Sequence, residues 1–367
     1  LAIGGFACAH NGNLTNTYSI KKQLVESGSI FQTSSDTEII LQLVARSKKK
    51  KIIDKLIDTL RQIQGAYSLV ILTNKKLIGV RDPFGIRPLV LGDKNGSPVL
   101  ASETCALDMI GAKYVRDIEN GEIVVITESG MESIKPFKKI AERPCIFERI
   151  YFASPDSIVG NKTVYTYRKA LGEQLAIENN IIADVVVPIP DSGVSAAIGF
   201  SQKSKIPFEL GIIRSHYVGR TFIEPSQTIR QFGVKLKHSV NRSCIENKKV
   251  VLIDDSIVRG TTASKIVKMV YEAGAKEVHL GISCPPILHP DFYGIDTPNY
   301  NQLIASKSNI KEMTEIVGAN SLFFLSLNGT YKAMGCEKRD SNTPQFTDHC
   351  FTGEYPIDVT EILKLNR

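Results

Sequence analysis

The chain has 367 residues, 43% hydrophobic and 23% charged, with a formal net charge of +7. That is the composition of a soluble globular protein long enough for two domains, and no stretch approaches the roughly 18 consecutive apolar residues of a membrane span. The charge accommodates an anionic ligand without demanding nucleic acid. The seven cysteines are Cys8, Cys105, Cys145, Cys244, Cys284, Cys336 and Cys350. They are odd in number and contain no Cys-x-x-Cys pair, which argues against a disulfide framework or zinc site and for a reducing cytoplasm. The start, Leu1 to Phe6, has neither an initiating Met nor the basic segment of a signal peptide, so the chain is expected to be a fragment.

Ser35-Asp36-Thr37-Glu38 has capping-box spacing and leads into Ile39, Ile40, Leu43 and Val44, which predicts a helix. Ile52, Ile53, Leu56, Ile57, Leu60 and Ile63 mark a second amphipathic helix. Short strand-like runs follow at Tyr67–Leu72, Leu77–Val80, Pro88–Leu91, Val99–Ala101 and Ile123–Ile126, with turn residues between them. Helices followed by hairpins suggest a mixed, largely antiparallel sheet. Polar residues and two prolines near Lys135 to Arg143 mark a boundary. Beyond it, strand and helix alternate: a helix over Val164–Asn179, then strands at Asp184–Val187, Phe208–Ile213, Val250–Ile253 and Glu277–Ser283, the last closing the set. This is the rhythm of a doubly wound parallel sheet, whose ligands sit beyond the carboxyl ends of the strands.

The run from Val250 to Thr262 carries the most chemistry. Four apolar residues read as a strand buried on both faces and end in Asp254 and Asp255. Ser256, Arg259, Gly260, Thr261 and Thr262 follow, and a helix is predicted from Thr262 to Tyr271. Gly260 allows close backbone approach, and a helix N-terminus offers unpaired N–H groups to an anion. The carboxylates suit sugar hydroxyls or a metal ion instead. One site with both chemistries points to a sugar phosphate.

Two further stretches fit such a ligand. The loop Pro190-Asp191-Ser192-Gly193 precedes a helix rich in small residues and can cradle a diphosphate on its N–H groups. Arg214 to Arg242 holds six Lys or Arg and a single acid, Glu224, with little periodicity. It reads as a basic lid, with Tyr217, Arg220, Lys235 and Lys237 as candidate contacts, because a long aperiodic loop in a compact domain is usually functional or disordered.

The Asp254 run resembles the phosphoribosylpyrophosphate (PRPP) motif of type I phosphoribosyltransferases. The resemblance implies that Asp254 and Asp255 hold the ribose hydroxyls, that Arg259, Gly260, Thr261 and Thr262 hold the 5′-phosphate and that Ser256 also binds PRPP. It also implies that Asp191, Ser192 and Gly193 bind pyrophosphate, with Ser192, Asp254 and Asp255 near Mg²⁺. Further motifs narrow the family: Ala9-His10-Asn11-Gly12-Asn13-Leu14-Thr15-Asn16, Thr33 to Glu38, Arg81 to Leu89 and Tyr217 to Phe222. Together they resemble the glutamine PRPP amidotransferases, which open purine synthesis, over about residues 7 to 356. The implied architecture is a glutamine amidotransferase domain of the N-terminal-nucleophile type over residues 1–140, a phosphoribosyltransferase domain over 141–330 and a C-terminal segment over 331–367.

By that resemblance the Asn11 side chain and Gly12 N–H form an oxyanion hole, and Asp36 binds the α-amino group of glutamine. The bottom-up alternatives are a tight Asn-Gly turn and a helix cap; Arg81 to Pro88 is expected to be structural. The family's nucleophile is an N-terminal cysteine thiol, and Cys8 is no substitute for it. The N-terminal part of the glutaminase domain is therefore expected to be missing, with glutamine use lost and ammonia use surviving only if the remaining part of that domain still folds. Some family members carry an iron–sulfur cluster on four cysteines. Cys145 falls at one such position, but Asp291 occupies another and the Asn342 to Cys350 segment lacks paired cysteines, so no cluster is expected. The resemblance further implies a cytoplasmic homotetramer, inhibited by purine nucleotides, with no nucleic-acid or membrane partner. A nucleobase salvage phosphoribosyltransferase and a PRPP-sensing regulator are the competing functions.

Overall fold

The computed structural model describes residues 4–215, 238–297 and 299–365. The first unit is built on a five-stranded antiparallel sheet. Its strands, in spatial order, are Phe6–Leu14, Gly65–Thr73, Leu77–Arg81, Ile123–Thr127 and Gly130–Ile134. A three-stranded antiparallel sheet places Val90–Lys94 between Ser97–Ala101 and Lys113–Asp117. Helices at Thr17–Glu26, Thr37–Arg46 and Ile52–Leu60 cover the larger sheet. The periodic residues Ile39, Ile40, Leu43, Val44, Leu56 and Leu60 share one core with Leu69, Ile71, Ile78, Val80 and Ile123 of the strands. Each such side chain contributes about 1.5–3 kcal/mol when fully buried.

The second unit holds a four-stranded parallel sheet in the order Val185–Pro188, Lys249–Asp254, Glu277–Ile282 and Ser321–Phe324. Val250 to Ile253 are fully buried, as expected for a central strand covered on both faces. The helix Val164–Glu178 packs on the helix Val194–Ser204 across two glycines. A Cβ on Gly172 would lie 1.8 Å from the Ala196 carbonyl oxygen, and one on Gly199 would lie 2.0 Å from the Lys169 carbonyl oxygen. Side-chain-free backbone contact brings these two helices together.

Two expectations need correction. Phe208–Ile213 is not a strand of the parallel sheet. Phe208 makes a single bridge to Val186, and the chain then turns into Ile212–Arg214, which pairs antiparallel with His238–Val240. Glu277–Ile282 does not close the sheet either, because Ser321–Phe324 lies outside it. The four residues of that last strand are too short for periodicity to reveal.

The two units share a core. Ala66 and Ile86 of the first belong to the same buried cluster as Val185 to Val187 and Val250 to Ile253. The residues after 330 fold back onto the junction: Thr347 N–H donates to the Pro144 carbonyl at 2.9 Å, and Ile146 N–H donates to the Thr347 carbonyl at 3.1 Å. Farther on, Glu361 accepts from the Tyr18 and Ser19 N–H groups at 2.6 and 3.1 Å. Among the described residues, no helix is long and apolar enough to cross a membrane.

Candidate active sites

The strand Lys249–Asp254 ends at a cavity of about 370 Å³. Ser192, Asp254, Asp255, Ser256, Arg259, Gly260, Thr261 and Thr262 all line it, as do Asp296 and Thr297. The helix Thr261–Glu272 begins there with no side-chain cap, leaving its first-turn N–H groups available to an anion. Gly260, with φ of +74°, turns the chain into this helix, and a Cβ there would lie 2.8 Å from Ile304 Cδ1. The backbone conformation therefore favours glycine, and any side chain there would displace the end of Ile304.

Asp254 Oδ1 accepts from the Asp255 N–H at 2.9 Å and from Ser192 Oγ at 3.3 Å. Asp255 is buried, and its Oδ2 accepts from Ser256 Oγ at 2.6 Å. Burial, and then the adjacent Asp255 carboxylate, push the Asp254 carboxyl well above its ordinary value. Arg259 is held against Gln302, its Nε 2.9 Å from Oε1. Asp191 and Gly193 are not among the lining residues. Asp191 pairs with Arg214, while Gly193 packs on the strand end, where a Cβ would lie 2.2 Å from the Ile253 carbonyl oxygen. Tyr217, Arg220, Lys235 and Lys237 lie outside the described residues.

The second constellation centres on Asn11. Asn11-Gly12 is not a tight turn: both residues lie inside the strand Phe6–Leu14, opposite Ser68 and Tyr67. Gly12 has φ of +142°, and a Cβ on it would lie 2.1 Å from the Ala66 carbonyl oxygen. Asn11 Oδ1 accepts from Arg87 Nη2 at 2.8 Å, and Asn11 Nδ2 donates to Ser102 Oγ at 3.2 Å. These bonds fix which end of the amide is donor and leave Nδ2 one further proton to give.

Asp36 stands at the N-cap position of the helix Thr37–Arg46, but its side chain makes no capping bond. Its Oδ2 accepts from the Leu14 N–H at 3.0 Å, and its Oδ1 lies 3.3 Å from Thr37 Oγ1 and 3.5 Å from His10 Nδ1. Burial opposes its ionised form, but the His10 and backbone contacts outweigh that and hold the carboxyl below its ordinary value. Glu38 reaches the Gln32 and Thr33 N–H groups at 2.9 and 2.8 Å rather than closing a box with Ser35. Burial and the nearby Asp36 carboxylate push the Cys8 thiol up to about 12, so it stays protonated at neutral pH.

The segment Arg81 to Leu89 proves structural in most of its contacts. The buried Asp82 carboxylate accepts from the N–H groups of Phe84, Ile86 and Arg87 at 3.0, 3.1 and 3.1 Å. Arg81 donates to the carbonyls of Gly85, Arg87 and Ile118. Arg87 does more than hold the loop. Fully buried, it sits 3.0 Å from Glu148 Oε1 while it grips Asn11. Arg87 and Ser102 are contacts of Asn11 that sequence reasoning missed. A second arginine in the Arg-Asp-Pro-Phe-Gly-Ile-Arg run was the one available hint.

Asp291 is fully occupied by protein partners. His349 Nε2 lies 2.8 Å from its Oδ2, and the Tyr293 and Ile295 N–H groups donate to its Oδ1 at 2.7 and 2.9 Å. Burial pushes the Cys145 thiol up to about 12 and raises that of Cys350 strongly. Two cysteines and a carboxylate already paired with His349 fall short of the four ligands an iron–sulfur cluster takes.

Comparison with known proteins places both constellations in one family. A glutamine amidotransferase domain model matches residues 2–109, and a phosphoribosyl transferase domain model matches residues 169–291. The chain is 56% identical to the amidophosphoribosyltransferase of Rhizobium etli over 98% of its own length and 74% of the relative's. It is 51% identical to the chloroplastic amidophosphoribosyltransferase 1 of Arabidopsis thaliana over 98% of its own length and 63% of the relative's. The structure of glutamine PRPP amidotransferase from B. subtilis complexed with ADP and GMP superposes with a TM-score of 0.91 at 48% identity, covering 97% of this chain and 78% of that one. The expected loss of glutamine use is not borne out: the amidotransferase match spans Asn11, Gly12 and Asp36, which the fold holds in one ordered arrangement. The chain belongs to the amidophosphoribosyltransferase family, pentosyltransferases that use glutamine to aminate PRPP in purine synthesis.

Proposed function

We propose that the Asp254 cavity binds PRPP and the Asn11 constellation binds glutamine, each residue in the role its chemistry suits. The observation that carries this reading is the Asp254 to Thr262 unit. It sets two carboxylates and an uncapped helix N-terminus around one cavity of about 370 Å³. Asp254 and Asp255 take the ribose hydroxyls, and the Gly260 to Thr262 turn takes the 5′-phosphate. The pyrophosphate lies toward Ser192 and the adjacent loop. Ammonia attacks C1 as the C1–O bond to pyrophosphate breaks, the leaving group takes the electron pair, and the ammonium formed on C1 gives up one proton to solvent. Donors placed around the leaving group favour that charge separation.

Ser192, Asp254 and Asp255 supply oxygen donors of the kind Mg²⁺ takes, usually one or two carboxylates together with substrate phosphates. The ion neutralises diphosphate charge when bound. The raised Asp254 carboxyl suits the role, because a neighbouring dication favours its ionised form. At the other site, the family's N-terminal cysteine thiolate adds to the glutamine amide carbon, whose C–N bond then breaks to release ammonia. The Asn11 amide and the Gly12 N–H stabilise the negative oxygen formed in that addition, and the Asp36 carboxylate receives the α-ammonium. The reading extends to a cytoplasmic homotetramer inhibited by purine nucleotides. One solved relative is complexed with ADP and GMP, and another is described as the allosteric regulatory enzyme of purine biosynthesis.

The test is pyrophosphate release from PRPP and Mg²⁺ with glutamine, ammonia or a nucleobase as acceptor. Release with glutamine and ammonia supports the assignment. Turnover with a nucleobase alone identifies a salvage enzyme, and binding without turnover identifies a sensor.

A further inference from the structure

One segment of the second unit reaches into the Asn11 constellation. A Cβ on Gly294, whose φ is +111°, would lie 2.7 Å from Gly12 Cα and 2.8 Å from Gly12 C. The two glycine backbones are thus in direct contact. Next to them, Asn13 Nδ2 donates to the Phe292 carbonyl at 2.9 Å. Gly12 also lies against the neighbouring strand, where a Cβ on it would meet the Ala66 carbonyl oxygen at 2.1 Å. Gly12 therefore touches both a strand of its own unit and a segment from the other.

That segment is itself pinned. Asp291 accepts from the Tyr293 and Ile295 N–H groups and pairs with the buried His349, and the Asp291 N–H donates to Thr297 Oγ1 at 2.5 Å. Tyr293 Oη donates to the Ile357 carbonyl at 2.7 Å. Gly294 is the link of this braced segment that touches Gly12.

We propose that Gly294 and the Asn13–Phe292 bond are positioning elements for the oxyanion hole: the second unit sets the direction of the Gly12 N–H without touching glutamine. The inference rests on the assignment of Asn11 and Gly12 as that hole. Its physical basis is the freedom of glycine. An unclamped Gly samples a broad range of φ, and its N–H direction varies accordingly. The developing oxyanion rewards donors only when they are already aimed at it.

The test uses the whole enzyme and its two nitrogen sources. Gly294→Ala inserts a methyl against Gly12 and should lower glutamine-dependent kcat about 10–100-fold, as displacements on the ångström scale do, with ammonia-dependent turnover moving less than about threefold. KM for glutamine should move less than kcat, because the oxyanion forms after binding. Asn13→Ala removes the strut without adding atoms and should lower the same kcat about 3–10-fold, a fraction of that misplacement effect. If Gly294→Ala does not fold, Asn13→Ala carries the test alone.

A parallel fall in both activities would show a merely structural role and overturn the proposal, as would unchanged glutamine turnover in both variants. Asn11→Leu separates the two levels. If it spares glutamine turnover, the oxyanion assignment fails and the positioning role fails with it. If it abolishes turnover while Gly294→Ala and Asn13→Ala do not lower it, only the positioning role fails.

Discussion

The groups at the Asp254 cavity mostly follow one another within one strand, one turn and one helix start, whereas the groups around Asn11 come from separated stretches of chain. Asp254 to Thr262 converge mainly because the strand ends and the helix begins, with Ser192, Gln302 and Ile304 as their contacts from elsewhere in the chain. Asn11 depends on Arg87 and Ser102, Gly12 on Ala66 and Gly294, and Asp36 on His10 and Leu14. The first site draws on few contacts outside its own strand and helix. The second inherits every displacement of its neighbours. Substitutions should therefore act locally in the first and propagate in the second.

The largest effect expected tests that propagation. Arg87→Met leaves Glu148 buried without its cation and Asn11 without its anchor. It should cost about 3–5 kcal/mol of stability, read as a lower urea midpoint, and Arg87→Met/Glu148→Met should recover most of that loss. A cost below about 1 kcal/mol, the range of an exposed pair, would mean that the buried pair is not what holds this region. Glutamine turnover should stay low in the double variant, because Asn11 is still unanchored.

Asn11→Leu should lower glutamine-dependent kcat by about 10²–10³, the usual worth of one oxyanion donor, and spare ammonia-dependent turnover. Equal loss with both nitrogen sources would collapse the distinction between the two sites.

Gly260→Ala is the local counterpart. Its φ of +74° and the contact with Ile304 should cost about 1–3 kcal/mol in strain and overpacking and weaken PRPP binding, with the glutaminase half unaffected. Calorimetric titration with PRPP and Mg²⁺ reads the affinity.

The smallest effect is a gain. The raised Asp254 carboxyl means that the folded chain holds a proton there more readily than the unfolded chain. Stability from this group therefore falls as pH rises through the ordinary carboxylate range toward the raised value, and the ionised carboxylate remains a cost above it. Asp254→Asn should raise Tm by about 2–4 °C at neutral pH, the shift that ~1 kcal/mol produces in domains of 150–250 residues. The gain should vanish below the ordinary Asp value, where both states are protonated. PRPP turnover should fall in the same variant. No thermal gain at neutral pH would place the Asp254 carboxyl outside the strained environment described.

The sequence by itself determined most of the elements and the Asp254 to Thr262 cluster that lines the first cavity. Apolar runs of unbroken burial gave the Val250 to Ile253 strand, helical spacing gave Ile39 to Val44, and the acids, glycine and threonines that follow Ile253 were in register with both. Such signals are local, because periodicity and turn chemistry act over a few residues. Tertiary structure decided the rest. It made Asn11-Gly12 part of a strand instead of a turn, gave the Asp36 side chain His10 and Leu14 as partners in place of a capping bond, and diverted Ile212 to Arg214 into a ribbon with His238 to Val240. It also set Gly294 against Gly12. Each of those outcomes depends on which buried polar group finds a partner and which backbones approach without a side chain between them. Those are properties of the packed chain that no local window contains.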